Sequence, residues 1–183
     1  MAKTSRFPEF SLKRNKPILE PSEITEAPKY KKLDCEWKEA IEGHFWATNY
    51  TGKLTEEQRR HIALRDHILN FGGEEVCMPA FEEHIEQLLK HGEIWTPASL
   101  ILKRGNINQC HSNAALLWEA NKTNLKLATG YYLHQDGMWR SHSWCLRKNT
   151  KGGRIVETTR PAILYFGITL TEEEAEEQVY NSY

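Results

Sequence analysis

Cys110, His142 and Glu157 are the three residue types of a nucleophile, a base and an orienting acid. A thiolate attacks, an imidazole moves the proton, and a carboxylate fixes the imidazole tautomer and stabilises its charged form. Cys110 opens the stretch CHSNAALLWEA, in which Ala114, Leu117 and Trp118 recur at helical spacing. The spacing predicts a helix starting at or just before Cys110. The first N–H groups of a helix have no internal acceptor, and together with the helix dipole they favour an anion. A thiol there, beside an imidazolium, can fall from about 8.5 into the range of about 3.5–7.5.

His142 and Glu157 fall in two strand-like segments, Met138–Arg147 and 154–159, separated by the turn sequence Lys-Asn-Thr-Lys-Gly-Gly. That is hairpin punctuation. A turn centred near Thr150 and Lys151 sets Trp144 opposite Glu157 and His142 opposite Thr159. His142 and Glu157 are then diagonal neighbours on one face, within reach of each other. A slip of one residue would send them to opposite faces. Taken singly, a cysteine at a helix start is ordinarily a small buried residue, and a strand glutamate is ordinarily solvated. It is the order cysteine-helix, histidine-strand, acid-strand that points to chemistry.

The elements that must hold these residues read as α+β: a helical N-terminal half, then the Cys-led central helix packed on an antiparallel sheet. The helical part, 34–98, carries three apolar stripes. One has Trp37, Ile41 and Phe45; one opens at Thr55 with Gln58 as a capping box and ends at Gly72 and Gly73; one begins near Pro79 and carries Phe81, Ile85, Leu88 and Leu89. All three are assigned to core packing. Strands are predicted at Leu125–Leu133, Met138–Arg147, 154–159 and 163–168, with a short apolar run at 99–102. Residues 171–183 read as a short acidic terminal helix with a capping box at Thr171. Residues 34–183 form a single catalytic-type domain, of which 99–170 is the Cys-helix and sheet. Residues 1–33 read as a basic tail, flexible until something binds it. It holds four of the seven prolines and eight Lys or Arg against four Asp or Glu.

Composition excludes several functions. The 183 residues carry 24 Lys and Arg against 25 Asp and Glu, a net charge of −1, which gives no footprint for nucleic-acid binding. No apolar run approaches the roughly 18 residues of a membrane helix, and the first ten residues have no signal-peptide core. Four scattered cysteines without a CxxC pair suit reduced thiols in a cytoplasm. No metal site is expected. His142 and Cys145 are three apart on a strand and face opposite ways, and Cys110 and His111 are adjacent and diverge. With no phosphate loop and no GxGxxG, no cofactor is expected. His134 and Asp136 fall in a predicted loop and are read as solvated. Tyr131, Tyr132, Trp139 and Trp144 are read as core and pocket wall.

The order of the three residues resembles the papain-like and transglutaminase-like cysteine hydrolase fold. The local wording is closer to a little-characterised group of bacterial and phage proteins. Its pattern runs G-x-C-[HY]-x-N-A, a strand with a glycine, H-[AS]-W, an acid followed by Thr, and Y-F-G. Here those are Cys110 to Ala114, Gly130-Tyr131, His142-Ser143-Trp144, Glu157-Thr158-Thr159 and Tyr165-Phe166-Gly167. The acid of that group looks like Asp, and here it is Glu157. The resemblance covers about residues 99–170 and implies nucleophilic catalysis on an amide, peptide or acyl carbonyl. Cys110 would attack, His142 would act as base and then acid, and Glu157 would orient it. Oxyanion donors are the Cys110 backbone N–H and a side-chain amide from Asn106, Asn108 or Gln109. Trp144, His111 and Asn113 are assigned to the pocket wall, Asn113 with a structural hydrogen bond. The expected partner is a peptide or small amide-containing substrate, with no nucleic acid and no membrane. Two alternatives stand beside a hydrolase: an acyltransferase using the same triad, since Arg104-Gly105 before a cysteine is similar to part of the arylamine acetyltransferase wording, and a non-catalytic binding module on the same fold.

Overall fold

The computed structural model describes residues 29–32, 34–49, 52–98, 100–148 and 154–182. The tail read at 1–33 lies outside these residues except for its last part. There Tyr30 packs against the core and the Lys31 N–H donates to the Gln135 carbonyl at 2.8 Å.

The chain is α+β. In order it forms α1 (Cys35–Asn49), α2 (Glu56–Leu69), β1 (Glu75–Cys77), α3 (Ile85–His91), β2 (Glu93–Trp95), β3 (Leu100–Leu102), α4 (Cys110–Glu119), β4 (Leu125–Leu133), β5 (Met138–Arg147), β6 (Arg154–Glu157), β7 (Leu164–Thr169) and α5 (Glu172–Tyr180). Thr55 and Thr171 each accept from the N3 backbone while the N3 side chain reaches back, so both capping boxes form. The part read as helical also contains two three-residue strands, β1 and β2. The third helix starts at Ile85 rather than near Pro79, so Phe81 falls before it and is exposed. Trp37 is exposed as well, and the first stripe buries through Phe45.

Six strands run β2-β7-β4-β5-β6-β3, and β1 joins β5. Pairing is antiparallel except for β1 with β5 and β3 with β6. Alternation divides the core between the two faces. Leu127, Tyr131, Cys145, Val156 and Phe166 share one cluster with Leu64, Ala114 and Trp118 of the helices. Trp95, Ala128, Trp144, Leu146, Ile155 and Tyr165 form a second.

The pairing of β5 decides where the site lies. Its whole length from Trp139 to Arg147 is paired with β4 along one edge. The opposite edge is shared end to end: β1 takes Met138 to Arg140 and β6 takes Cys145 to Arg147. Among the described residues no strand pairs with 141–144 on that edge, which leaves a window. His142 stands in the window.

Two glycines let the central strands close up. Gly130 has φ 151° and pairs with His142 on one side and Gly167 on the other. A Cβ at Gly130 would collide with the Phe166 carbonyl oxygen, and one at Gly167 with the Thr129 carbonyl oxygen and the Trp144 ring.

Candidate active site

The β5–β6 register pairs Cys145 with Val156 and Leu146 with Ile155. One step further places Trp144 opposite Glu157. His142 and Glu157 therefore share the face of the second core cluster, and they meet. The His142 Nε2–H donates to Glu157 Oε2 at 2.9 Å, with Oε1 at 3.2 Å. Both side chains are essentially inaccessible to water.

A buried carboxylate must be satisfied by donors. Glu157 Oε1 accepts from the backbone N–H groups of Thr158 (2.8 Å) and Thr159 (2.7 Å) and from Thr159 Oγ1 (3.0 Å). Oε2 accepts from the Tyr165 hydroxyl at 2.8 Å. Glu157 is thus not a solvated strand residue. Burial works against its charge, but the hydrogen bond and charge of His142, followed by Thr159 and Tyr165, hold its pKa below the ordinary value. The His142 ring is enclosed by aromatics. Tyr132 lies 4.4 Å away between centroids, and Trp144 stacks at 6.2 Å with 17° between planes.

Cys110 is the first residue of α4, which packs on the other face of the sheet through Ala114, Ala115, Leu117 and Trp118. Its thiol nevertheless lines the same cleft as His142, close enough for His142 and His111 to act on its ionisation. The window in β5 is what permits this, because no strand separates the start of α4 from His142 there. With Nε2 committed to Glu157, Nδ1 is the nitrogen left for the thiol. Burial opposes ionisation of Cys110. Hydrogen bonds from His111 and His142, and their charge, outweigh it and bring the thiol down to about 5. Burial likewise opposes a charged His142, and its bonds to Cys110 and Glu157 carry it up to about 9. Between those limits the pair rests as thiolate and imidazolium.

His111 does not diverge from Cys110. Its Nδ1 lies 2.7 Å from Ser143 Oγ, on the far face of β5. The imidazole is long enough to turn back across the first turn of α4. It is exposed and faces a second hollow, lined by Glu82, Glu174 and Gln178 among others.

The cleft above the window has a volume of about 760 Å3. Cys110, His142, Tyr132, Thr159, Asn106 and Asn108 all line it. Trp144, assigned to the wall, is fully buried in the second core instead, beside the His142 ring. Asn113 holds the loop before α4. It accepts from the Asn106 N–H at 3.0 Å and donates to the Asn106 carbonyl at 2.7 Å. The Asn106 amide donates to Gln109 Oε1 at 3.1 Å, so both are partly occupied with each other. Asn108 is the remaining side-chain candidate and lines the cleft. Its φ is 59°, in the left-handed region that glycine and asparagine adopt most readily. It stands where the resembling pattern has its glycine.

Sequence reading missed the supports. Tyr165 holds Glu157, and the loop residues His134 and Asp136 line the cleft rather than facing bulk water, whereas Tyr132, read as pocket wall, lines the cleft against the His142 ring. Asp136 takes a two-pronged bond from Arg140, at 3.0 and 2.6 Å. The i,i+4 spacing of Asp136 and Arg140 across a tight turn was the available signal. Among the described residues no group of three His, Cys, Asp or Glu is placed to hold a metal, and no helix is long and apolar enough to cross a membrane.

The site is thus a thiol, an imidazole and a carboxylate in series on an α+β frame. No protein-family model, no curated protein and no solved structure matches the chain.

Proposed function

We propose that the protein is a cysteine-nucleophile hydrolase acting on an amide or peptide bond through Cys110, His142 and Glu157, on a papain-like layout. The observation that carries this reading is the His142 ring held between a buried, fully hydrogen-bonded Glu157 and the Cys110 thiol at an open cleft. A structural histidine has no need of both.

The Cys110 thiolate attacks the carbonyl carbon, forming a C–S bond and moving the carbonyl electron pair onto oxygen. The N–H groups at the start of α4, with the Asn108 amide, would receive that charge. As the intermediate collapses, the C–N bond breaks and the leaving nitrogen takes the proton of the His142 imidazolium. Neutral His142 then draws a proton from water as the water attacks the thioester. The C–S bond breaks and the thiolate–imidazolium pair is restored. Glu157 keeps Nε2–H donated throughout, so the working nitrogen stays toward the thiol. An acyltransferase differs only in letting another nucleophile take the place of water.

The test uses p-nitrophenyl acetate, which any such nucleophile accepts. A burst of nitrophenol with an acetyl group on Cys110 by mass mapping is expected, and it is lost in Cys110→Ala. A folded protein that never acylates Cys110 would be a binding module instead.

A further inference from the structure

Three guanidinium groups line the cleft, from Arg104, Arg140 and Arg160, against one carboxylate, Asp136. They are not equivalent. Arg140 spends its charge on Asp136 through two short bonds, and that contact, working against burial, holds the Asp136 carboxyl at about 2. Arg104 and Arg160 are exposed, and among the described residues neither has a carboxylate partner. Cys110, His142 and Glu157 together carry one net negative charge, which the two arginines outnumber.

Both unpaired arginines are placed by backbone rather than by chance of side-chain reach. Beyond β3 the Lys103 N–H donates to the Glu157 carbonyl at 2.7 Å and the Gly105 N–H to the Thr158 carbonyl at 2.8 Å. The chain entering α4 and the chain leaving β6 are thus stitched together past the end of the sheet. Arg104 lies between the two bonded residues of one strand extension, and Arg160 lies two residues past Thr158 on the other. A Cβ at Gly105 would strike the Asn113 amide, so the loop after Arg104 is fixed against α4. The same segment that carries the acid Glu157 therefore carries Arg160 to the cleft. An unpaired guanidinium offers a planar fork that fits a carboxylate, whereas a neutral substrate would leave both forks hydrated only.

We infer that the substrate of this site carries a carboxylate close to the bond that is cleaved, and that Arg104 and Arg160 bind it. This specificity rests on Cys110 being the nucleophile, as proposed above. The substrate class is an acidic peptide or amide, not a neutral or cationic one.

Two alkylating agents of similar size separate the two claims: iodoacetate, which carries a carboxylate, and iodoacetamide, which does not. The ratio of their rate constants at Cys110 is compared with the ratio at the thiolate of free glutathione. At low salt the protein's ratio is expected to exceed that of glutathione by about tenfold, and to shrink as salt screens the charges. In Arg104→Gln/Arg160→Gln the ratio is expected to fall by about fivefold or more, while the iodoacetamide rate stays within about twofold. Both side chains are exposed, so the variant keeps its fold. A ratio equal to that of glutathione, or one retained in the double variant, would overturn the inference while leaving Cys110 as nucleophile. Failure of both reagents to react at Cys110 would instead overturn the nucleophile itself. Two acetylated peptides then locate the carboxylate by protecting Cys110 from iodoacetamide: one amidated with an internal aspartate, one with uncharged side chains and a free C-terminal carboxylate. Protection by either supports the inference, and protection by neither contradicts it.

Discussion

Cys110 and Cys145 both sit on the contact between α4 and β5, about one helical turn apart, and they have opposite chemistry. The Cys145 thiol is fully buried and donates to the Ala114 carbonyl, 3.3 Å away, in the body of the helix. Burial, reinforced by the charge of Glu157, pushes it up to about 12. Cys110 lies at the helix start, where N–H groups rather than carbonyls are unpaired, with two imidazoles against it. Its thiol comes down to about 5. Two surroundings on one helix thus separate a packing residue from a nucleophile, and the division falls at the window in β5.

The largest effect that would break this comparison is the loss of the thiol itself. Cys110→Ala is expected to lower acyl transfer by about 10⁴-fold or more, while Cys145→Ala changes the rate by less than about threefold. Equal losses in the two variants, measured with the ester substrate, would erase the distinction. Next in size is the frame of the window. Arg65 on α2 grips Glu75 of β1 with two bonds, 2.7 and 2.6 Å long, and both side chains are buried. β1 ends where the window begins. Glu75→Gln leaves the buried guanidinium with only the longer contacts of Asp66 at 3.4 Å and Glu42 at 4.0 Å, and is expected to cost about 1.5–3 kcal/mol in denaturant unfolding. A cost under about 1 kcal/mol would show that β1 does not depend on that pair.

How far the sequence revealed this geometry varies with the range of the contacts. β4 and β5 are legible to the residue, because aromatic and aliphatic runs of nine and ten positions with a turn between them are local signals. The β5–β6 register follows from where the turn is centred, and it brought His142 to Glu157. The window was not legible. It exists because β1, three residues long and paired in parallel from far away in the chain, stops at Arg140 while β6 stops at Cys145. A strand that short shows no period. The start of α3 was misplaced for a related reason: Pro79 suits a first helical position, but nothing local says that the chain runs six residues further before it coils. The roles of Tyr165 and Asp136 depend on contacts across the sheet and across a loop, and residue type alone does not disclose them.

Smaller changes sharpen the comparison between the two thiols. Glu157→Gln removes the charge that supports the His142 imidazolium, so the Cys110 thiol should rise toward about 8.5 and alkylation at mildly acidic pH should slow by about tenfold or more. His142→Ala should raise it too, by removing one of the two imidazoles. Tyr165→Phe deletes one of several donors to Glu157. Its expected cost is about 1–2 kcal/mol of stability, with a smaller rise of the thiol than Glu157→Gln gives. If Tyr165→Phe moved the thiol further than Glu157→Gln, the charge of Glu157 would not be the operative support.

The most direct measurement is the pH dependence of iodoacetamide labelling at each cysteine, read by mass mapping. The Cys110 rate should rise through a midpoint near 5 and then stay level, because the thiolate persists after His142 loses its proton near 9. Amide turnover in the same protein should instead rise near 5 and fall near 9, since the leaving amine takes the proton of His142. Cys145 should remain unlabelled throughout. A Cys110 midpoint near the ordinary thiol value of about 8.5, or faster labelling of Cys145, would contradict the assignment of Cys110, His142 and Glu157 as one working unit.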